Sequence, residues 1–122
     1  AVFRTGEVLQ EGVEKIAEVY AGSADIAVQD RGMIWNTDLV ETLEYDNLIM
    51  QAAVTVNSAV NRKESRGGHM RDDYPERDDE NFMVHTMAYL TGDAKSANVE
   101  DHISIDWKPV VITNYQPMER KY

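Results

Sequence analysis

The chain has 122 residues, 43% of them apolar, which is one domain's length with enough hydrophobic material for a moderate core. Its 22 acidic and 12 basic residues give a net charge of −10, which argues against a nucleic-acid or anionic-membrane surface because phosphate binding needs a basic face. With no cysteine there is no disulfide, thiolate nucleophile or thiolate metal site.

No apolar run reaches the length of a membrane span, and the first residues carry Arg4, Glu7 and Glu11 rather than an apolar signal core. The sequence begins at Ala1 without an initiator methionine, which is consistent with a piece of a longer protein.

Residues 1 to about 22 read as an amphipathic helix. Thr5 can cap it, Glu7 and Glu11 suit the first turns, and Leu9, Val13, Ile16 and Tyr20 recur at helical spacing. Gly22 is a stop signal. Asp30-Arg31-Gly32 is turn chemistry, and Met33, Ile34 and Trp35 form an apolar entry expected to staple the next helix start. Asn36 or Thr37 caps that second helix, which is expected to run from about 37 to 62. Its first half is amphipathic. Its second half, from Ile49 to Val60, is apolar over most of its circumference, the pattern of a helix covered all round. Asn47 and Asn57, set among apolar positions, read as satisfied core hydrogen bonders.

A polar stretch from Lys63 to Asn81 follows. Both charge signs interleave, and Gly67-Gly68 and Pro75 fix the backbone at defined points, so it reads as a structured junction. Pro75 can open a short helix through Met83. From residue 84 the period changes. His85–Leu90 reads as a strand, Thr91-Gly92-Asp93 as a turn, and Ile103–Trp107 as a half-buried strand broken or edged by Pro109. Val110, Val111 and Ile112 can resume it, and the tail from Asn114 is extended. The expected fold is therefore mainly α: about three helices, spectrin-repeat-like, over residues 1–83, then a small strand-containing tail over 84–122.

The chemistry available is limited. His69, His85 and His102 lie far apart in sequence, and the acids near Asp72 and Asp78 lack the glycine and ligand spacing of a calcium loop. There is no phosphate loop, dinucleotide glycine motif or nucleophile elbow. His69 with Asp72 or Asp73 could form an acid–base pair, or His69 could donate a structural hydrogen bond. Arg66, Arg71 and Arg77 within a dozen residues suggest an ion-pair lattice, either internal or bridging to a partner.

The run Arg62-x-Glu64-Ser65-Arg66-Gly67-x-His69-x-Arg71-x-Asp73-Tyr74-Pro75-x-Arg77-Asp78-Asp79-x-Asn81 resembles a segment of the flavoprotein subunit of succinate dehydrogenase. Val2-Phe3-Arg4, Asn36-Thr37-Asp38-Leu39-Val40-Glu41-Thr42-Leu43-Glu44, Asp46-Asn47-Leu48, His85-Thr86 and the final Pro117-x-x-Arg120-x-Tyr122 extend the likeness in order along the chain, with Gly68 where alanine is usual. Fumarate reductase and L-aspartate oxidase share the Glu64-Ser65-Arg66-Gly67 core, while the Arg77-Asp78-Asp79-x-Asn81 extension and the terminal motif favour succinate dehydrogenase.

The resemblance implies the C-terminal part of a chain about five times longer, whose N-terminal part carries FAD, the dicarboxylate site and the catalytic residues. No catalytic, cofactor-binding or metal residue is thereby assigned to these 122 residues, and the piece alone is expected to be inactive and to bind no flavin. The implied partners are the FAD domain of the same chain and the iron–sulfur subunit, on the cytoplasmic face of a bacterial inner membrane or the mitochondrial matrix side, without nucleic acid and without direct membrane insertion. Glu64, Ser65, Arg66, His69, Arg71, Asp73 and Arg77 are expected to dock on the FAD domain and, without it, to be solvent-exposed. The competing reading is a self-standing interaction module.

Overall fold

A computed structural model describes residues 2–91 and 102–118. Helix α1 spans Gly6–Ala21 and helix α2 spans Thr37–Asn61, with a 3₁₀ turn at Gly22–Asp25 after the first. Strands β1, Val84–Leu90, and β2, Ile103–Pro109, pair antiparallel with Thr86 opposite Trp107.

The Thr5 side chain accepts the Val8 N–H at 3.3 Å and so opens α1 as expected. Gly22 closes it in ordinary right-handed geometry, so its stop function does not use a left-handed conformation. Asn36, rather than Thr37, caps α2: its Oδ1 accepts the Leu39 N–H at 2.8 Å. The two helices run antiparallel. Tyr45 Oη donates to Val19 O near one end, and near the other a Cβ on Gly12 would lie 3.3 Å from Val56 Cγ2, so glycine permits the close approach there. Leu9, Val13 and Tyr20 of α1 and Ile49 and Ala53 of α2 are buried, and Ile16, Tyr45, Met50 and Ile103 pack on the Tyr20, Ile49 and Ala53 cluster.

Several expectations are corrected. Among the described residues there are two α-helices, not about three. The Pro75–Met83 segment makes only a single capped turn: the Asp78 carboxylate accepts the Glu80 and Asn81 N–H groups, Asp78 O accepts the Phe82 N–H at 3.0 Å, and β1 begins at Val84 before a second turn can form. Met33, Ile34 and Trp35 do not staple α2; they stand 96%, 82% and 92% exposed. The second half of α2 is only partly covered, with Ile49 and Ala53 buried and most of its other apolar residues at intermediate exposure. Asn47 and Asn57 are hydrogen-bonded as expected, to Leu43 O and Ala53 O of their own helix, but Asn47 is exposed rather than in the core. Val110 and Val111 lie beyond the strand, although Val110 N–H reaches Met83 O at 3.2 Å. The expected turn at Thr91–Asp93 and the end of the terminal motif fall largely outside the described residues.

A two-stranded ribbon is marginal by itself in water. Here Ile103 joins the helical core and Trp107 packs edge-on against Phe82 with ring centroids 5.6 Å apart.

Candidate functional site: the charged junction

The segment after α2 folds into two tight reversals. In the first, Arg66 and His69 exchange backbone bonds of 2.7 and 3.0 Å across Gly67-Gly68, and Gly67 takes φ 59°. That left-handed value is open to glycine at little steric cost. In the second, Tyr74 N–H returns to Arg71 O at 3.3 Å. Ser65 holds the two together: its N–H donates to Glu76 O at 3.0 Å, and its Oγ accepts from Arg71 N–H at 2.8 Å and donates to Tyr74 O at 2.7 Å.

Glu64 sits at the centre, fully buried. Its Oε1 accepts from Arg62 Nε at 2.8 Å and Arg66 Nε at 2.9 Å, and its Oε2 accepts from Asp78 N–H at 3.0 Å. Burial works to raise the Glu64 pKa, but the Arg66, Asp78 and Arg62 hydrogen bonds outweigh it and hold the carboxyl below its ordinary value. The ladder continues outward. Arg66 Nη2 meets Asp79 Oδ1 at 2.6 Å, and Asp79 Oδ2 meets Arg77 Nη2 at 2.8 Å. Arg77 Nη1 then donates to Met118 O at 2.9 Å, tying the C-terminal segment back to the junction. The result is an alternating row, Arg62–Glu64–Arg66–Asp79–Arg77, running from interior to surface. The Arg66 bond first, then that of Arg77, keeps Asp79 below the usual carboxylate range.

Arg71 is the other buried charge, 2% exposed. It forks onto Asp73 with Nε–Oδ1 at 2.9 Å and Nη2–Oδ2 at 2.6 Å, donates through Nη1 to Val60 O at 3.0 Å, and lies over the Tyr74 ring at 4.9 Å. Asp73 Oδ2 also accepts the Gly6 N–H at 2.8 Å. The Arg71 bond, aided by Gly6, lowers the Asp73 carboxyl to about 2. His69 bridges Arg4 and α2: its Nδ1 lies 3.0 Å from Arg4 Nη1 and its Nε2 3.0 Å from Arg62 O. A guanidinium only donates and a carbonyl only accepts, so this geometry assigns the ring proton to Nε2.

The structure thus brings Glu64, Ser65, Arg66, His69, Arg71, Asp73 and Arg77 into one continuous network. The expectation of general exposure is corrected for Glu64 and Arg71, whose charges are satisfied from inside the domain. His69 faces Arg4 and Arg62 O, not Asp72 or Asp73, so it makes no acid–base pair with either. Arg62 was overlooked as a network residue. It donates to Phe82 O, Val84 O and Thr86 Oγ1 as well as to Glu64. The available signal was an arginine two residues before a glutamate, where a cation at a helix C-terminus is already expected. Arg4 likewise carried no expected network role, yet its carbonyl accepts the Asp72 N–H at 2.8 Å.

The junction has little to offer a cofactor. Among the described residues every buried side-chain polar atom has a partner, and no group of three His, Asp or Glu side chains could hold a metal. The two strands are antiparallel and lack the strand–glycine-turn–helix unit that cradles a dinucleotide. These residues do not fit a flavin.

A model of the family described as the fumarate reductase flavoprotein C-terminus matches residues 1–122. The chain belongs to this family of flavoprotein C-terminal domains. The succinate dehydrogenase flavoprotein subunit of Rickettsia bellii is 51% identical over 113 residues, covering 93% of this chain and 18% of that one. The mitochondrial counterpart of Oryza sativa is 48% identical over 89 residues, covering 73% of this chain and 14% of that one. The fumarate reductase flavoprotein subunit of Haemophilus influenzae is 39% identical over 121 residues, or 99% of this chain and 19% of that one. Among solved structures, a mutant E. coli quinol fumarate reductase flavoprotein superposes with a TM-score of 0.83 at 33% identity, over 98% of this chain and 20% of that one. The flavoprotein C-terminal domain therefore spans about a fifth of the length of such relatives. None of its described helices is long and apolar enough to cross a membrane.

Proposed function

We propose that this domain is the C-terminal brace of a succinate dehydrogenase flavoprotein, packing against the FAD domain and supporting oxidation of succinate to fumarate in a quinone-linked complex. The observation that carries the proposal is the 51% identity with a succinate dehydrogenase flavoprotein subunit over 93% of the chain. FAD, the dicarboxylate and the reacting groups belong to the upstream part of such a subunit. Contacts to the FAD domain and to the iron–sulfur subunit would hold the domain peripherally, on the cytoplasmic face of a bacterial inner membrane or in the mitochondrial matrix.

Within the junction, the docking role divides by burial. Glu64 and Arg71 are sealed in and fix the shape from within, whereas Arg77, Asp73 and the outer edge of Arg66 reach solvent, with Arg77's side chain 34% exposed. Arg77, which shares Asp79 with Arg66, can turn toward a partner's acids or carbonyls without uncovering a buried charge, whereas Arg66 keeps its Nε on the buried Glu64 and offers a partner only its outer edge. A fumarate reductase reading is the second choice, favoured by the match to the H. influenzae subunit over 99% of the chain.

The test is association. The domain mixed with the remaining flavoprotein portion should form a stable 1:1 complex. Arg66→Ala and Arg77→Ala should each weaken it, and Gly68→Ala should not. Affinity unchanged by either arginine substitution removes the docking role from the junction.

A further inference from the structure

The segment that leads into α1 is clamped on the junction. Arg4 O accepts the Asp72 N–H at 2.8 Å, Arg4 Nη1 meets His69 Nδ1 at 3.0 Å, and Gly6 N–H meets Asp73 Oδ2 at 2.8 Å. Gly6 packs so closely under the Arg71–Asp73 fork that a Cβ there would lie 3.1 Å from Arg71 Nη2 and 3.3 Å from Asp73 Oδ2. In relatives most of the subunit lies outside the stretch this chain matches, and the family is that of the C-terminal part. In such a subunit residues 2–6 are where the two parts join.

Of the groups in this clamp, one is of the type that changes charge near neutrality. The Asp72 bond is backbone to backbone, and the Asp73 carboxyl is lowered to about 2 and stays ionised. Histidine is the side chain that ordinarily gains its proton between about pH 8 and pH 5.

The surroundings of His69 decide what that proton does. Nε2 donates to Arg62 O at 3.0 Å, so the Nδ1 lone pair receives the Arg4 guanidinium. A proton added at Nδ1 removes the lone pair and sets two N–H donors and two positive charges against each other. At Nε2 the new charge is favoured. Arg62 caps the C-terminus of α2, the negative end of its dipole, and a charged donor bonds its carbonyl more strongly. Arg71 Nη1 approaches the same carbonyl at 3.5 Å, but its charge is taken up by Asp73, and the Arg62 guanidinium is turned to Glu64. Asp72 and Asp73 make no contact with the ring. A charged ring therefore stays on α2 and turns Arg4 away. The gain at Arg62 O offsets the loss at Arg4, so the domain keeps its stability while its lead-in loosens.

We propose that His69 is a pH-sensitive latch on the lead-in, closed on Arg4 when the ring is neutral and open when it is charged. It needs only the family membership and not the docking role of Arg66 and Arg77, so failure of that role would leave it standing.

The experiment uses the full-length flavoprotein subunit and follows hydrogen exchange by mass spectrometry, with exchange times scaled for the intrinsic effect of pH. From about pH 7.5 to about pH 5.5 the Asp72 amide, protected by Arg4 O, should exchange at least about tenfold faster, with Val84–Leu90 unchanged. His69→Gln, whose amide accepts from Arg4 and donates to Arg62 O at any pH, should keep Asp72 slow at both values. Arg4→Leu should make it fast at both. An Asp72 amide equally slow at the lower pH in the parent overturns the latch. So does a pH response that survives in His69→Gln or in Arg4→Leu, which places the sensor elsewhere. Acceleration that spreads in step to Val84–Leu90 overturns it as well, because the proton would then open the whole junction.

Discussion

Arg71 and Asp73 form a forked pair that touches one end of each helix: Arg71 holds the Val60 carbonyl in the last turn of α2, and Asp73 holds the Gly6 N–H in the first turn of α1. Each charge faces the helix dipole end of opposite sign. The clip therefore fixes how the antiparallel helices end as well as how the junction begins.

Arg71→Ala is expected to destabilise the domain by about 2 kcal/mol, through the lost charge-assisted hydrogen bonds of a buried side chain. Only 2% of Arg71 is exposed, so water cannot readily replace its bonds to Val60 O and Asp73. Arg71→Lys should recover only part of the loss, because an ammonium cannot fork onto Asp73 and reach Val60 at once. Denaturant unfolding followed by far-ultraviolet circular dichroism measures both.

Stability should fall in acid for the same reason. Asp73 has a folded pKa of about 2, below its ordinary value of 3.8, so its contribution is fully present above the ordinary value and is lost as pH falls toward 2. Glu64 and Asp79, also depressed, act in the same direction. Urea midpoints are expected to hold steady from pH 7 to about 5 and drop progressively below about 4. Asp73→Asn should lower the midpoint at pH 7 and flatten the acid slope. A variant slope as steep as the parent's would remove Asp73 from this role.

The first reversal separates two adjacent glycines. Gly67 has φ 59°, whereas Gly68 is not left-handed and a Cβ there would meet nothing within 4 Å. Gly67→Ala should therefore cost about 1 kcal/mol, the usual penalty for a left-handed L-residue, and Gly68→Ala should be neutral or slightly stabilising. Thermal unfolding of the two variants side by side decides it.

Local signals made much of this fold legible. Thr5 and Asn36 announced the helix starts, and the alternation Ile103-Ser104-Ile105 announced β2, because capping and strand period depend on near neighbours. Part of what was not legible depended on distance in sequence. Whether Arg71 would face outward or inward turned on Val60, eleven residues back, and on Asp73 meeting Gly6, 67 residues away. The helix expected after Pro75 stops at the single turn that Asp78 caps, because β1 takes over at Val84. Met33 to Trp35 read as a staple because apolar residues before a cap often turn inward, and the Asn36 and Asp38 bonds turn this loop outward instead. The family was the most legible feature, since the spacing from Arg62 to Asn81 encodes one continuous network.

Glu64 tests whether that network is held by charge or by shape. Its carboxylate accepts from Arg62, Arg66 and the Asp78 N–H, and all three partners are donors. Glu64→Gln keeps the size but turns one oxygen into an NH₂ that must face a donor, leaving a buried clash and two guanidiniums without their shared anion. The expected cost is about 3 kcal/mol, within the range for breaking a buried ion pair. Because Arg62 also holds Phe82 O, Val84 O and Thr86 Oγ1, the loss should spread to β1. Amide exchange should accelerate across Val84–Leu90 while the middle of α1, packed through Leu9 and Val13, stays protected. Uniform acceleration through both regions would mean that the junction and helices unfold as one unit, and unchanged exchange in β1 would mean that Arg62 holds the strand without help from Glu64.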